Sequence, residues 1–135
     1  MPTSKAKPRK PADRDKLIAL MEPWPRSWRG SDADIPIGEG LVAVMKPFIE
    51  HLCARGLAHK TVRNHLDNCW AIGGEIIRDV IEQPKRRKID PRRLLLDAIV
   101  GGEAPLAYHF DEQEQRQLDA TAKKLLRFLV ADDQT

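Results

Sequence analysis

The sequence predicts an all-α protein, a bundle of four to five helices in a single domain. Three observations carry that expectation. Apolar residues recur at spacings of three and four in each long segment, as a helix with one buried face requires. No stretch alternates apolar and polar residues as a half-buried strand would, and no internal repeat is present. Glycine and proline fall at the joints between the periodic segments, where helices stop and restart.

Composition sets the outer bounds. At 135 residues there is room for one ordinary domain and not for two. The chain is 41% hydrophobic, which is enough for a core, and its 32% charged residues and mean hydropathy of −0.49 place it among soluble proteins. No apolar run approaches the roughly 20 residues that cross a bilayer, so no membrane partner is expected. The opening M-P-T-S-K-A-K-P-R-K-P is basic but lacks the apolar centre of a secretion signal. Two cysteines, Cys53 and Cys69, do not make a disulfide framework, which points to a reducing, cytoplasmic setting.

Residues 1–12 hold Pro2, Pro8 and Pro11 with Lys5, Lys7, Arg9 and Lys10. With almost no apolar surface to bury, this arm is expected to be disordered when free, leaving 13–135 as the helical domain. Asp13 or Asp15 starts a short helix through Met21, ended by Pro23 and Pro25. A long irregular segment, Glu22 to Gly38, follows, with Trp24 and Trp28 expected to pin it against the helices as core anchors. The next helix runs from about Glu39 to Arg55, with Leu41, Val44, Met45, Phe48, Ile49 and Leu52 inward. Pro47 inside it predicts a kink or a restart near Lys46. Gly56 suits the left-handed residue that closes a helix.

A long helix spans about His59 to Glu82, with Val62, Leu66, Cys69, Trp70, Ile76, Ile77, Val80 and Ile81 on its apolar side. Gly73 and Gly74 cost helix propensity and are explained by close packing of another helix on bare backbone. Pro84 ends it. A polar connector leads to Asp90–Pro91, an N-cap and first-turn proline for a short helix to Val100. After Gly101–Gly102, Asp111 and Glu114 form a capping-box start for a last helix to about Ala131, burying Leu118, Ala122, Leu125, Leu126 and Leu129.

The cations make nucleic acid the leading partner. Net charge is +3, but residues 1–102 carry 19 Lys and Arg against 13 Asp and Glu, while 103–135 carry 4 against 7. A basic body with an acidic end suits a polyanion. The connector places six cations in nine residues, Lys85, Arg86, Arg87, Lys88, Arg92 and Arg93, opposed only by Asp90; that self-repulsion is relieved when phosphates gather. The start of the long helix adds Lys60, Thr61, Arg63 and Asn64, side chains that bond phosphates or base edges. The order helix, Gly56, short turn, helix also fits a helix-turn-helix that enters the major groove by its second helix.

Other chemistries find little footing. No glycine-rich phosphate loop, Gly-x-Ser-x-Gly or His-Glu-x-x-His is present, so no catalytic residue and no cofactor is expected. His65 and Cys69 share a helical face, but without a C-x-x-C pair the cysteines read as buried thiols and no metal site is expected. Tyr108–His109 reads as a packed loop contact.

The string F-I-E-H-L-C-A-R-G-L-A-H-K-T-V-R-N-H-L, from Phe48 to Leu66, resembles the start of the core-binding, SAM-like N-terminal domain of tyrosine recombinases (phage integrases). There an apolar helix is followed by Gly-Leu-Ser-x-Lys-Thr-Val-Arg and a long helix. L-D-A-T-A-K-K-L-L-R-F-L-V, Leu118 to Val130, is similar to that domain's last helix. Together they cover about residues 40–131 and imply an orthogonal, SAM-like bundle from a mobile element that clamps duplex DNA. Lys60, Thr61, Arg63 and Asn64 would occupy the DNA-facing turn, with Lys123, Lys124 and Arg127 on the exposed side of the last helix. Two departures stand out: Ala58 replaces the usual Ser cap, and no His-x-x-Arg of the family's catalytic domain follows. The resemblance therefore implies a stand-alone or truncated DNA-binding module, without the recombination chemistry itself. K-T-V-R-N-H-L is also similar to the recognition helix of LuxR-type regulators, though no Glu-Ile-Ala helix precedes it. The competing class is a helical adaptor that docks a protein partner or a second copy through the Trp24/Trp28 segment or the last helix.

Overall fold

Six α-helices succeed one another through residues 10–133, the part of the chain that the computed structural model describes. They are α1 (Arg14–Ala19), α2 (Trp24–Trp28), α3 (Ile35–Ala54), α4 (His59–Glu82), α5 (Pro91–Ala98) and α6 (Glu112–Asp133). Short 3-10 turns occupy Asp32–Asp34, Pro84–Lys88 and Val100–Gly102. Among the described residues there is no strand, only an isolated bridge between Pro11 and Ala58. The all-α expectation holds.

Local chemistry sets the boundaries. The Asp13 carboxylate accepts the Lys16 N–H at 3.2 Å and starts α1. Gly56, at φ 77°, closes α3 in the left-handed region, and the expected limits of α4 are those observed. Asp111 and Glu114 exchange backbone bonds of 2.7 and 3.1 Å, completing the capping box ahead of α6. Residues 1–9 of the basic arm lie outside the described residues. The arm's end, however, is docked: the Lys10 carbonyl accepts the His59 N–H at 2.9 Å, and the Asp13 N–H donates to His59 Nδ1 at 3.1 Å. The first orphan donor of α4, left uncapped by Ala58, is thus satisfied from the other end of the sequence.

The stretch Glu22 to Gly38 is more regular than expected. It forms α2 and a 3-10 turn, and α3 begins at Ile35 with Pro36 in its first turn. Helix α3 also continues through Pro47 without a restart. Pro47 and Ala43 both lie on the exposed side, so the carbonyl that Pro47 leaves without a donor faces water.

Helix α3 is the hub, touching all five other α-helices. Its Leu41, Met45, Phe48, Ile49 and Leu52 are buried against α4 and α6 residues such as Val62, Leu66, Leu125 and Leu129. Trp24 and Trp28 join this core with ring centroids 5.6 Å apart. The Trp28 N–H donates to the Trp70 carbonyl at 3.0 Å, so the indole is buried without an orphaned donor. A Cβ on Gly73 would lie 2.3 Å from the Trp28 ring, which makes an indole, rather than a helix backbone, the neighbour that requires this glycine.

Two apolar assignments need correcting. Trp70 and Ile81 are 45% and 42% exposed. The buried line of α4 runs through Cys69, Ile72, Gly73, Ile76, Ile77 and Val80, and both residues sit beside it rather than on it.

Candidate nucleic-acid interface

The connector's cations are turned back into the protein. Arg87 donates to Asp34 Oδ1 through Nε and Nη2, at 3.1 and 3.0 Å. Asp34 is only 1% exposed, and its other oxygen accepts the N–H groups of Gly30 and Ser31 at 2.9 and 3.0 Å. Burial pushes the Asp34 carboxyl up, but those two N–H groups and the Arg87 guanidinium outweigh it and hold the group below its ordinary pKa. Arg86 Nε lies 2.7 Å from the Asp79 carboxylate, an ion pair in which that N–H finds no hydrogen-bond acceptor in line. Arg92 donates to the Leu129 carbonyl at 3.2 Å and ties α5 to α6. Arg93 makes a looser, exposed pair with Asp97 at 3.5 Å. Lys85 and Lys88 stand exposed.

Position matters as much as pairing. The connector follows the C-terminus of α4, whereas Lys60 to Asn64 lie in its first turns. A helix of 24 residues puts these ends about 36 Å apart. The connector and the first turns of α4 therefore stand a full helix length apart.

A second group meets at the opposite end of the bundle. Arg55 at the end of α3 and Lys124 and Arg127 on α6 border one cleft of about 400 Å³, together with Phe48, His51, Leu52, Phe128 and Ala131. No carboxylate lines it among the described residues, and none of the three cations has an ion-pair partner there. Phe128 meets both His51 and Phe48, with ring centroids 5.1 and 5.8 Å away.

Helix α6 reaches this place by running antiparallel to α4. Thr121 Oγ1 is 2.8 Å from His65 Nδ1 and 2.8 Å from Asn68 Nδ2, and Asn68 also donates to the Gln117 carbonyl at 3.4 Å. Burial, then the charge of Lys124, holds His65 below its ordinary pKa. Lys124, three residues after Thr121, shares the side of α6 that faces the first half of α4. Lys123 is exposed beside it.

In the first turns of α4, Lys60, Arg63 and Asn64 are exposed and Thr61 is half-buried. Arg63 pairs with Asp67 at 3.0 Å, both well exposed, a contact that a phosphate could displace because such surface pairs contribute little. The structure thus brings Lys60 and Asn64 to the same end of the bundle as Lys124 and Arg127. Lys85, Arg86, Arg87 and Lys88 follow the other end of α4, while Arg92 reaches the Leu129 carbonyl on α6 and Arg93 pairs with Asp97.

Arg55 and His51 were not singled out from the sequence. An arginine before a closing glycine reads as a favourable charge on the helix dipole. The signal lay in spacing: His51 and Arg55 are four apart, Lys124 and Arg127 three apart, so each pair shares a helical face.

Metal and thiol chemistry gain no support. No group of three His, Cys, Asp or Glu among the described residues could hold a metal ion. Cys69 is buried and its thiol is pushed up to about 12; burial also raises Cys53. Tyr108 is 80% exposed, its ring edge-on to His109 at 5.0 Å, so this pair is not packed into the fold. No described helix is long and apolar enough to cross a membrane. Compared with protein-family models, curated proteins and solved structures, the chain matches none.

Proposed function

We propose that this chain is a non-catalytic DNA-binding module of the integrase core-binding, SAM-like type. It would hold duplex DNA with the end of the bundle where α3 stops and α4 starts. Lys60, Asn64 and an unpaired Arg63 approach the groove from the first turns of α4. Arg55, Lys123, Lys124 and Arg127 hold phosphates on either side. One observation carries the reading: Arg55, Lys124 and Arg127 converge on one cleft that no carboxylate lines among the described residues, beside the exposed start of α4. Cations that are in no ion pair gain most when phosphates replace their counterions.

The test is fluorescence anisotropy with labelled duplex DNA over a range of salt. Four or five phosphate contacts are expected to cost about 10²–10³ in affinity between about 50 and 200 mM salt. Converting Arg55, Lys124 and Arg127 together to Gln is expected to flatten the salt slope by about one per cation removed. Affinity that ignores salt, or that survives the triple variant intact, sinks the reading.

The adaptor alternative has its own observation. Trp70, Ile81 and Tyr108 are exposed around a cleft of about 340 Å³ that also includes Trp28 and Phe110. Large apolar side chains left in water are a common mark of a protein-docking surface. Sedimentation showing a stable complex through this side, with no DNA retention, would favour it.

A further inference from the structure

Three cations explain why a polyanion would visit the α3–α6 cleft, but they do not explain its floor. Paired DNA offers phosphates and groove edges outward, while its base faces are covered by stacking. A cleft made only for a duplex backbone has no use for rings. This one is lined by Phe48, His51 and Phe128, with Leu52 and Ala131 beside them. His51 is exposed and Phe128 half-buried, their planes inclined at 39°. Arg55 and Arg127 add guanidinium planes at the rim, and these also stack on bases.

Flat apolar surface within reach of cations is the combination that single-stranded nucleic acid requires, a π face for each base and a positive charge for each phosphate. At about 400 Å³ the cleft lies within the range of small-ligand pockets. Among the described residues its charged side chains are cations, matched to phosphate oxygens and base carbonyls.

We infer that the cleft seats an unpaired nucleotide, a single-stranded flank or an extrahelical base, with its ring against His51 and Phe128 and its phosphate on Arg55, Lys124 and Arg127. This rests on the DNA-binding reading above and adds a preference to it: the module distinguishes a duplex carrying unpaired bases from one fully paired.

The deciding measurement compares three labelled probes on the full chain: a blunt duplex, the same duplex with a short single-stranded overhang, and that overhang built from abasic residues. Abasic sites keep every phosphate and remove every ring, so the comparison needs no substitution in the protein. The overhang is expected to bind about tenfold tighter than either other probe. His51→Ala, at an exposed position, and Phe128→Leu, which keeps apolar bulk, are each expected to reduce that gain and to leave blunt-duplex affinity unchanged. Equal binding of all three probes overturns the inference while leaving the duplex reading intact, as does a gain that both variants retain. If no probe binds, both readings fall. A labelled acidic amphipathic peptide is the fourth arm. Its capture at the cleft without any gain from the overhang makes the cleft a protein groove and overturns the assignment.

Discussion

The two cationic regions of this molecule are built in opposite ways. The connector after α4 is dense in sequence, yet Arg86, Arg87 and Arg92 are spent on Asp79, Asp34 and the Leu129 carbonyl. The cleft at the far end draws Arg55 from α3 and Lys124 and Arg127 from α6, some seventy residues apart along the chain, and among the described residues no carboxylate lines it. Linear charge density is therefore a poor guide to available charge. What matters is whether an acid can reach each cation once the helices have packed, and at the connector Asp34 and Asp79 can.

Arg87→Met makes the sharpest test of that contrast. It strands the Asp34 carboxylate in a buried site with only the Gly30 and Ser31 N–H groups, and should cost about 3 kcal/mol in urea unfolding. A loss under about 0.5 kcal/mol would mean the pair is ornamental and the connector is as free as the cleft. Neutralising Lys85 and Lys88 comes next. These exposed lysines lie far from the proposed interface, so duplex affinity should fall less than with the cleft triple variant, and the salt slope should change little. A larger effect than that of the triple variant would reverse the comparison.

The pH dependence separates the two ends as well. Asp34 has a lowered pKa in the fold, so its contribution is fully present above the ordinary carboxylate range and drains away as pH falls through the lowered value. Arg87→Met should move that acid loss to higher pH. His65 also folds with a lowered pKa, but as a base it is neutral in the fold and takes up a proton more readily when unfolded. Stability should therefore decline as pH falls from the ordinary histidine range toward the lowered value. His65→Gln should flatten this part of the curve, and Lys124→Gln should narrow it by removing the second cause of the shift. Urea titrations across pH check both. The smallest effect belongs to Arg93→Ala, which breaks an exposed pair with Asp97 and should change stability by less than about 0.5 kcal/mol.

Much of the fold was legible because its signals are local. The limits of α4 follow from Gly56 and Pro84, and the start of α6 from the Asp111–Glu114 box. Errors entered where two readings shared one local pattern. Trp70 and Ile81 look like core residues by type, but they sit beside the buried stripe of their helix. Gly73 and Gly74 look alike, yet a Cβ would meet the Trp28 ring at 2.3 Å on the first and only at 3.5 Å on the second. Of the candidate interface, the first turns of α4 and the cations of α6 were visible in advance. Arg55 and His51 were not, because their meaning comes from a neighbour on another helix.

The sequence by itself determined five of the six helices, their order, both ends of α4 and the excess of positive charge, since periodicity, capping and composition act within a few residues. Only the tertiary structure decided which cations are free, because an ion pair such as Arg87 with Asp34 joins residues 53 positions apart. It also decided that the rings of α3 and α6 meet beside Arg55, Lys124 and Arg127. Coulomb energy and packing depend on separation in space, and that separation is set when the helices dock.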